Sequence, residues 1–348
     1  FSRNTTSEMN QAFNGLIESD VKEVIIDLRD NGGGLLTAAV NMIDMLIEKG
    51  QTIVSTKGRM KESNRSFLSR TKPIIDKDVK IAILINQGSA SASEIVAGSI
   101  QDLDRGIVIG RKSFGKGLVQ TLYPIDKIRS LKVTTARYYI PSGRFIQNND
   151  YINEKVVLES EQEDSIFTTL NGRKVLGNGG ITPDSIIYSE TMEPLTVQYW
   201  RSGFFYSFAQ ENKFQYEKFE DVENDNELMS KFNNFISTKD KVRLPGEEVL
   251  EEIEEKMTAL GKIDNKTKKA MNDLGLFFKN QKIDRMVSEN IDMKQLLLLE
   301  FAGLFNGPEG RIKQALKDDK VVQSAINILS SDNSYQMAFK NSQVITNN

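Results

Sequence analysis

The sequence predicts an α/β core followed by a mainly helical region. Two patterns carry that expectation. Through roughly the first 190 residues, short apolar runs of strand length alternate with amphipathic helical stretches, the arrangement that builds a largely parallel sheet with helices packed on it. Beyond Ile181-Thr182-Pro183-Asp184 the texture changes to an aromatic cluster and then to helical periodicity alone. At 348 residues, 39% hydrophobic and 27% charged, the chain is long enough for two domains with a substantial core. We expect residues 1–194 to form the first and residues 195–348 the second.

Each element has its own signal. Thr5-Thr6-Ser7-Glu8 has the spacing of a capping box, and Met9, Ala12, Phe13 and Leu16 follow at helical spacing. Val24-Ile25-Ile26-Asp27-Leu28 reads as a buried strand running straight into Asn31-Gly32-Gly33-Gly34. Leu36, Val40, Ile43 and Leu46 then share one face of a second helix. Ile53-Val54-Ser55 and Ile81-Ala82-Ile83-Leu84-Ile85 read as strands, and the second leads into a small-residue helix from about Ser89 to Leu103. Ile107-Val108-Ile109, Leu118 to Thr121 and Leu131 to Tyr139 complete the strand signals. Residues 199–219 hold nine aromatic side chains, Tyr199 and Phe219 among them. Val249, Leu250, Ile253, Met257 and Leu260 form a later helical stripe. Asp292 with Gln295 marks a further capped start that Gly307-Pro308 should stop.

The residues the chain lacks narrow its chemistry. It has no histidine and no cysteine, which removes Ser-His-Asp hydrolysis, Cys-His nucleophiles, the usual zinc sites and disulfides. Acid–base work then falls to Lys, Asp, Glu or Tyr. With 45 basic and 48 acidic residues, no global field favours nucleic acid. The longest apolar stretch, Leu296 to Phe305, is short and holds Glu300, so no membrane span is expected. The chain opens at Phe1 without the pattern of a signal peptide and reads as a fragment or a mature product. We expect neither a metal nor a cofactor.

Three segments can carry chemistry: Asp27 to Leu35 (DLRDNGGGL), Gly88 to Glu94 (GSASASE) and Ser113 to Gln120 (SFGKGLVQ). Each has a bland reading. The triple glycine can be only a tight turn, or it can let backbone N–H groups approach an anion. Ser89, Ser91 and Ser93 can be helix caps, or one can be a nucleophile whose neighbouring N–H faces a developing oxyanion. Gly110 to Gly117 resembles a phosphate-binding loop, but Gly117 stands where Ser or Thr is needed and a strand follows, so the nucleotide reading fails. Most lysines lie on the surface. Lys116, however, has a glycine on each side and apolar neighbours. Burial there would leave a neutral amine able to act as general base. Strand periodicity would put Lys116, Leu118 and Gln120 on one face, with Gln120 holding the amine.

Together these segments, with Tyr138 to Ile146 (YYIPSGRFI) and Gly180 to Asp184, resemble the carboxyl-terminal processing peptidases, serine proteases of the tail-specific type. The resemblance spans roughly residues 1–190. It implies a crotonase/ClpP-like spiral core of βα units. It further implies Ser91 as nucleophile, Lys116 as general base and Gln120 as the support of that lysine. The N–H of Ala92 with that of Gly33 or Gly34 would form the oxyanion hole. Arg29, Glu94, Asp104 and Arg105 read as structural, bracing turn and helix ends.

Gly32 stands where the family commonly has proline. The family also carries a PDZ domain, which captures substrate C-termini by strand addition. No such domain is read in this chain, so impaired substrate selection is expected. The region after residue 194 is read as lying outside the family's common core, serving as a cap or in homodimerisation. The implied substrates are proteins or peptides with apolar, loosely folded C-termini, and the implied compartment is the periplasm or cell envelope. Two other readings compete: a non-catalytic ligand- or peptide-binding module on the same fold, and an acyl-CoA enzyme. Intact Ser91, Lys116 and Gln120 weigh against both.

Overall fold

The computed structural model describes residues 1–148, 165–177, 179–188, 192–239, 245–261 and 263–341. The chain forms two compact units, one of Phe1–Ser189 with Lys320–Asn348, the other of Glu190–Asp319.

The first unit opens with α1 (Thr5–Glu18), β1 (Glu23–Asp27), α2 (Leu36–Asp44), β2 (Thr52–Gly58) and β3 (Arg65–Leu68). Next come β4 (Lys80–Ile85), α3 (Ala92–Asp102), β5 (Ile107–Gly110), β6 (Leu118–Pro124) and β7 (Ser130–Tyr139). Three short strands follow, β8 (Ile166–Thr168), β9 (Lys174–Leu176) and β10 (Ser185–Ile186). Strands β1, β4, β5 and β10 make a parallel sheet in the order β1-β4-β5-β10. A second four-stranded sheet, β3-β2-β7-β6, is antiparallel throughout.

That second sheet corrects the expectation of a crotonase/ClpP-like spiral. A spiral of βα units needs a helical crossover between successive strands. Here β6 and β7 are joined by the short Ile125–Arg129 turn, which permits only antiparallel pairing. Among the described residues no helix intervenes between β5 and the second unit. The core is therefore a parallel sheet with its helices beside a separate antiparallel sheet.

The parallel sheet is buried on both faces, which is why β4 reads as an unbroken apolar run. Its side chains alternate between two clusters. Ile81, Ile83 and Ile85 join the core that holds Ala39, Ile43, Val96 and Ile100 of α2 and α3. Ala82 and Leu84 face Val321, Ala325 and Leu329 of α11 (Lys320–Leu329) and Tyr335 of α12 (Asp332–Asn341). Helices far along the chain thus supply the second layer. Lys80 Nζ donates to the Leu329 carbonyl at 2.6 Å, and the Tyr335 hydroxyl lies 3.3 Å from both Ile81 N and Ile81 O.

The other unit contains α4 (Pro194–Arg201), α5 (Phe204–Asn212), α6 (Phe219–Glu223), α7 (Leu228–Lys239), α8 (Pro245–Ala259), α9 (Asn265–Ser288) and α10 (Asn290–Lys317). Tyr199, Phe205, Phe208 and Phe219 from the aromatic segment pack with Phe232 and Phe301 in its core. Gly307, at φ 67° and ψ −165°, breaks α10 as a stop signal should, but Pro308 restarts a helix at once. The capping box at Thr5 does not form. Helix α1 begins at Thr5 itself, outside Asn4, and the Ser7 hydroxyl donates to the Asn4 carbonyl at 2.8 Å. Among the described residues no helix is long and apolar enough to cross a membrane.

Candidate active site

The C-terminal ends of β1 and β4 lie side by side in the parallel sheet, so the loops leaving them meet. Such ends are where open α/β sheets bind ligands. The loop after β4 carries the three serines, and their roles separate. Ser89 and Ser93 are fully buried, and their hydroxyls donate to the Leu28 and Asn31 carbonyls at 2.7 and 2.8 Å. Both pin this loop to the one after β1. Ser91 is the half-buried residue heading α3, with φ 57° and ψ −113°. That backbone is strained for a residue with a side chain, at about 1–3 kcal/mol. It is the kind of turn that projects a side chain from a strand-to-helix junction.

The glycine loop fits against this turn. A Cβ on Gly33 (φ 92°) would stand 2.5 Å from the Ala90 carbonyl oxygen and 2.8 Å from both Ala92 N and Ser91 Cβ. Only glycine permits that approach and that φ. The Gly33 N–H donates to Asn31 Oδ1 at 3.0 Å, while the Asn31 carbonyl accepts from Ala90 N at 3.0 Å.

A cavity of about 420 Å³ opens at this junction. Gly33, Gly34, Ser91, Ala92, Lys116 and Gln120 all line it, so the six site residues that the resemblance implies reach one space. Lys116 is half-buried, and Gln120 is exposed in its wall. The alternation expected along β6 is broken. The pairing register with β7 shifts between Val119 and Gln120, so Val119 lines the cavity as well as Leu118 and Gln120. Lys132, from β7, is a second lysine in the lining. Among the described residues no cluster of carboxylates is placed to hold a metal ion.

Two residues do more than the sequence reading gave them. Glu94, fully buried, is a shared acceptor. Its Oε2 accepts from the backbone N–H of Ser91 at 2.7 Å and of Lys116 at 2.9 Å. Its Oε1 accepts from the Ser113 hydroxyl at 2.5 Å and the Gly115 N–H at 2.7 Å. One carboxylate thus ties the Ser91 turn to the Lys116 loop. Burial pushes its carboxyl above the usual glutamate range, and the four donors pull partly against that rise. Tyr138 is the other. Its buried hydroxyl donates to the Lys116 carbonyl and lies 3.4 Å from the Ser91 carbonyl oxygen. Burial, with the Glu94 charge nearby, holds this phenol well above its ordinary range, so it stays a donor. A glutamate three residues after the serine is the sequence signal that could have found the first; Tyr138 has none.

Arg29, Asp104 and Arg105, read as structural, do not line the cavity. Arg29 pairs with Asp27 at 2.6 Å. Arg105 donates to the carbonyls of Leu46, Val79 and Asp76. Asp104 and Asp184 share Arg173, and Arg144 is buried against Asp102 at 2.7 Å.

Comparison with known proteins finds two family matches and several relatives. Residues 1–157 match the model of peptidase family S41, and residues 194–329 match that of the probable PDZ-protease C-terminal helical domain. The carboxy-terminal-processing protease of Bartonella bacilliformis is 44% identical over 151 residues, 42% of this chain and 34% of that protein. A probable CtpA-like serine protease of Staphylococcus epidermidis is 33% identical over 211 residues, 56% of this chain and 42% of that protein. Among solved structures, a photosystem II D1 C-terminal processing protease aligns at 30% identity with a TM-score of 0.42, covering 56% of this chain and 42% of that one. The chain thus spans about a third to two-fifths of the length of the curated relatives it matches. Residues 1–157 are thus similar to peptidase family S41 and to carboxy-terminal-processing proteases.

The second match corrects the reading of the helical region. It resembles a C-terminal helical domain of probable PDZ-proteases, so the expectation that it lies outside the family's common core is corrected, as is the reading of the chain apart from the PDZ-proteases.

Proposed function

We propose that this chain is a serine endopeptidase of the carboxyl-terminal processing type, with Ser91 as nucleophile. The observation that carries the proposal is Ser91 at a strained turn, opening on a cavity also lined by Lys116, Gln120 and the glycine loop. Ser91 Oγ attacks the scissile carbonyl carbon while the Lys116 amine takes its proton. Gln120 holds that amine in place. The oxyanion is met by the N–H of Ala92 and that of Gly34, since the Gly33 N–H is already given to Asn31 Oδ1. Collapse breaks the C–N bond, and Lys116 returns the proton to the leaving amine. The resulting ester is hydrolysed by water deprotonated by the same lysine.

Substrates of this reading are proteins with apolar, loosely folded C-terminal tails. The compartment is the periplasm or cell envelope. The exposed apolar residues of α8 and α9 (Val249, Ile253, Leu276, Phe277, Val287) make them the faces through which a homodimer would form.

The test is cleavage of an unstructured protein with an apolar C-terminus by the wild-type chain and its Ser91→Ala, Lys116→Ala and Lys132→Ala variants. The proposal expects the first two to abolish turnover and the third to retain it. Turnover surviving Ser91→Ala refutes the nucleophile, and loss only in Lys132→Ala moves the base to Lys132.

A further inference from the structure

A second cavity, of about 360 Å³, lies on the antiparallel sheet beside the first. It is lined by Met60, Phe67, Thr121 and Tyr123, and it shares Leu36 and Val119 with the cavity at Ser91. The two spaces therefore meet at those side chains. We propose that the second cavity is a specificity subsite, seating one apolar side chain of the substrate polypeptide some residues away from the scissile bond. The inference rests on the peptidase reading, because that reading supplies the extended chain lying in the first cavity.

Four observations support an apolar occupant. The wall is formed mainly by Leu36, Met60, Phe67, Val119 and Tyr123. Three of the threonine hydroxyls between them are satisfied within the protein. The Thr121 and Thr135 hydroxyls bond each other at 2.8 Å, and the Thr56 hydroxyl donates to the Ser63 carbonyl at 2.7 Å. Arg65 Nε donates to the Glu62 carbonyl at 2.9 Å, drawing the guanidinium toward the main chain. Finally, the carboxylate of Glu62 in the lining disfavours an acidic side chain.

The geometry sets the spacing. Beyond the register shift Thr121 and Tyr123 share one face of β6, Val119 lines both cavities, and Lys116 lies three residues before Val119. At roughly 3.3 Å per extended residue, the cavity begins about 10 Å along the chain from Lys116, at Val119, and extends to about 23 Å at Tyr123. A substrate running beside β6 then reaches it about three to seven residues from the scissile bond. The other edge of β6 bears no strand among the described residues, so backbone pairing is open to such a substrate.

The experiment uses alanine-based peptides with one cleavage site and a single leucine moved through successive positions on either side. For the wild-type chain, we expect kcat/KM to rise about 10- to 200-fold when leucine occupies one position in that three-to-seven-residue window, the usual reach of an apolar pocket. Thr121→Phe fills the cavity from its wall. Met60→Trp fills it from an exposed position that folding tolerates. Both should reduce the leucine preference to about threefold or less while leaving the all-alanine peptide within about twofold. A preference that survives both variants, or none in that window, overturns the inference.

Failure of the peptidase reading registers elsewhere, as no wild-type cleavage of any peptide. The subsite is then read by binding of labelled leucine and alanine peptides to the Ser91→Ala protein. Tighter leucine binding that Met60→Trp removes sustains it, and equal binding overturns it.

Discussion

The Glu94 carboxylate accepts four hydrogen bonds, and Glu94→Gln tests whether it holds Ser91 and Lys116 in register. An amide offers one acceptor oxygen where the carboxylate offers two. In the better orientation the amide oxygen keeps the Ser91 and Lys116 N–H groups. Its NH2 then faces the Ser113 hydroxyl, which can turn to accept, and the Gly115 N–H, which cannot. One buried donor is left without a partner, a loss of about 1–3 kcal/mol in stability. In the reverse orientation both the Ser91 and Lys116 N–H groups lose their acceptor, and the loss is about twice as large. Any displacement of the Lys116 loop by about 1 Å lowers turnover by about a hundredfold. The assay is urea unfolding together with separate kcat and KM values on an unstructured protein substrate. We expect destabilisation in that range, a fall in kcat and little change in KM. A variant with kcat within about threefold of wild type would refute the role of the carboxylate as the tie between the two segments.

Gly33→Ala introduces a Cβ 2.5 Å from the Ala90 carbonyl oxygen at a φ of 92°; turnover should vanish while the protein still folds, as read by activity and circular dichroism. Arg144→Ala strands Asp102 in the core, and unfolding should show a loss of about 3–5 kcal/mol, with less than about 1 kcal/mol counting against a buried pair. Tyr138→Phe removes the donor to the Lys116 carbonyl, costing about 0.5–1.5 kcal/mol in unfolding experiments. The pH dependence of stability and of turnover should run in opposite directions. Burial raises the carboxyls of Glu94 and Asp184, so the native state holds those protons more tightly than the unfolded chain and stability falls as pH climbs from the ordinary carboxylate range through the raised values. Turnover instead falls on acidification over that interval, because protonated Glu94 loses acceptor capacity. A kcat that stays flat down to the ordinary glutamate range contradicts it.

Much of the first unit was legible because its signals are local. The apolar runs at β1, β4 and β5 and the glycines after β1 need no distant partner to be read. The spiral expectation failed because parallel pairing was extended from β1, β4 and β5 to strands whose pairing depends on a short turn at Ile125–Arg129. The layer of α11 and α12 over Ala82 and Leu84 was hidden for a different reason. A helix stripe such as Val321, Val322, Ala325 and Leu329 states that it will be buried, not against what. At the site, the residue types and spacing singled out Lys116 and the serine run, but not which serine. The separation of Ser91 from Ser89 and Ser93 rests on contacts to Leu28 and Asn31, about sixty residues away along the chain. Glu94 was read as an end-of-helix charge, since a sequence cannot show that four donors converge on one carboxylate.

Those long-range contacts also account for how the strained turn persists. Ser91 sits in an unfavourable backbone region, and neither α3 nor β4 alone would hold it there. Its own N–H is given to Glu94, Ala90 N is given to the Asn31 carbonyl, and the Ser93 hydroxyl is given to that same carbonyl. A strain of about 1–3 kcal/mol is matched by three bonds, one of them to a carboxylate, each contributing roughly 0.5–3 kcal/mol. The same bonds fix the glycine loop, because Asn31 supplies the carbonyl that accepts from the serine turn and the side chain that accepts from Gly33. Serine turn and glycine loop are thus one unit, and neither can relax without releasing the other. On the proposed reading, an oxyanion site built this way would need no reorganisation when charge develops, which is the condition under which backbone donors lower a barrier most.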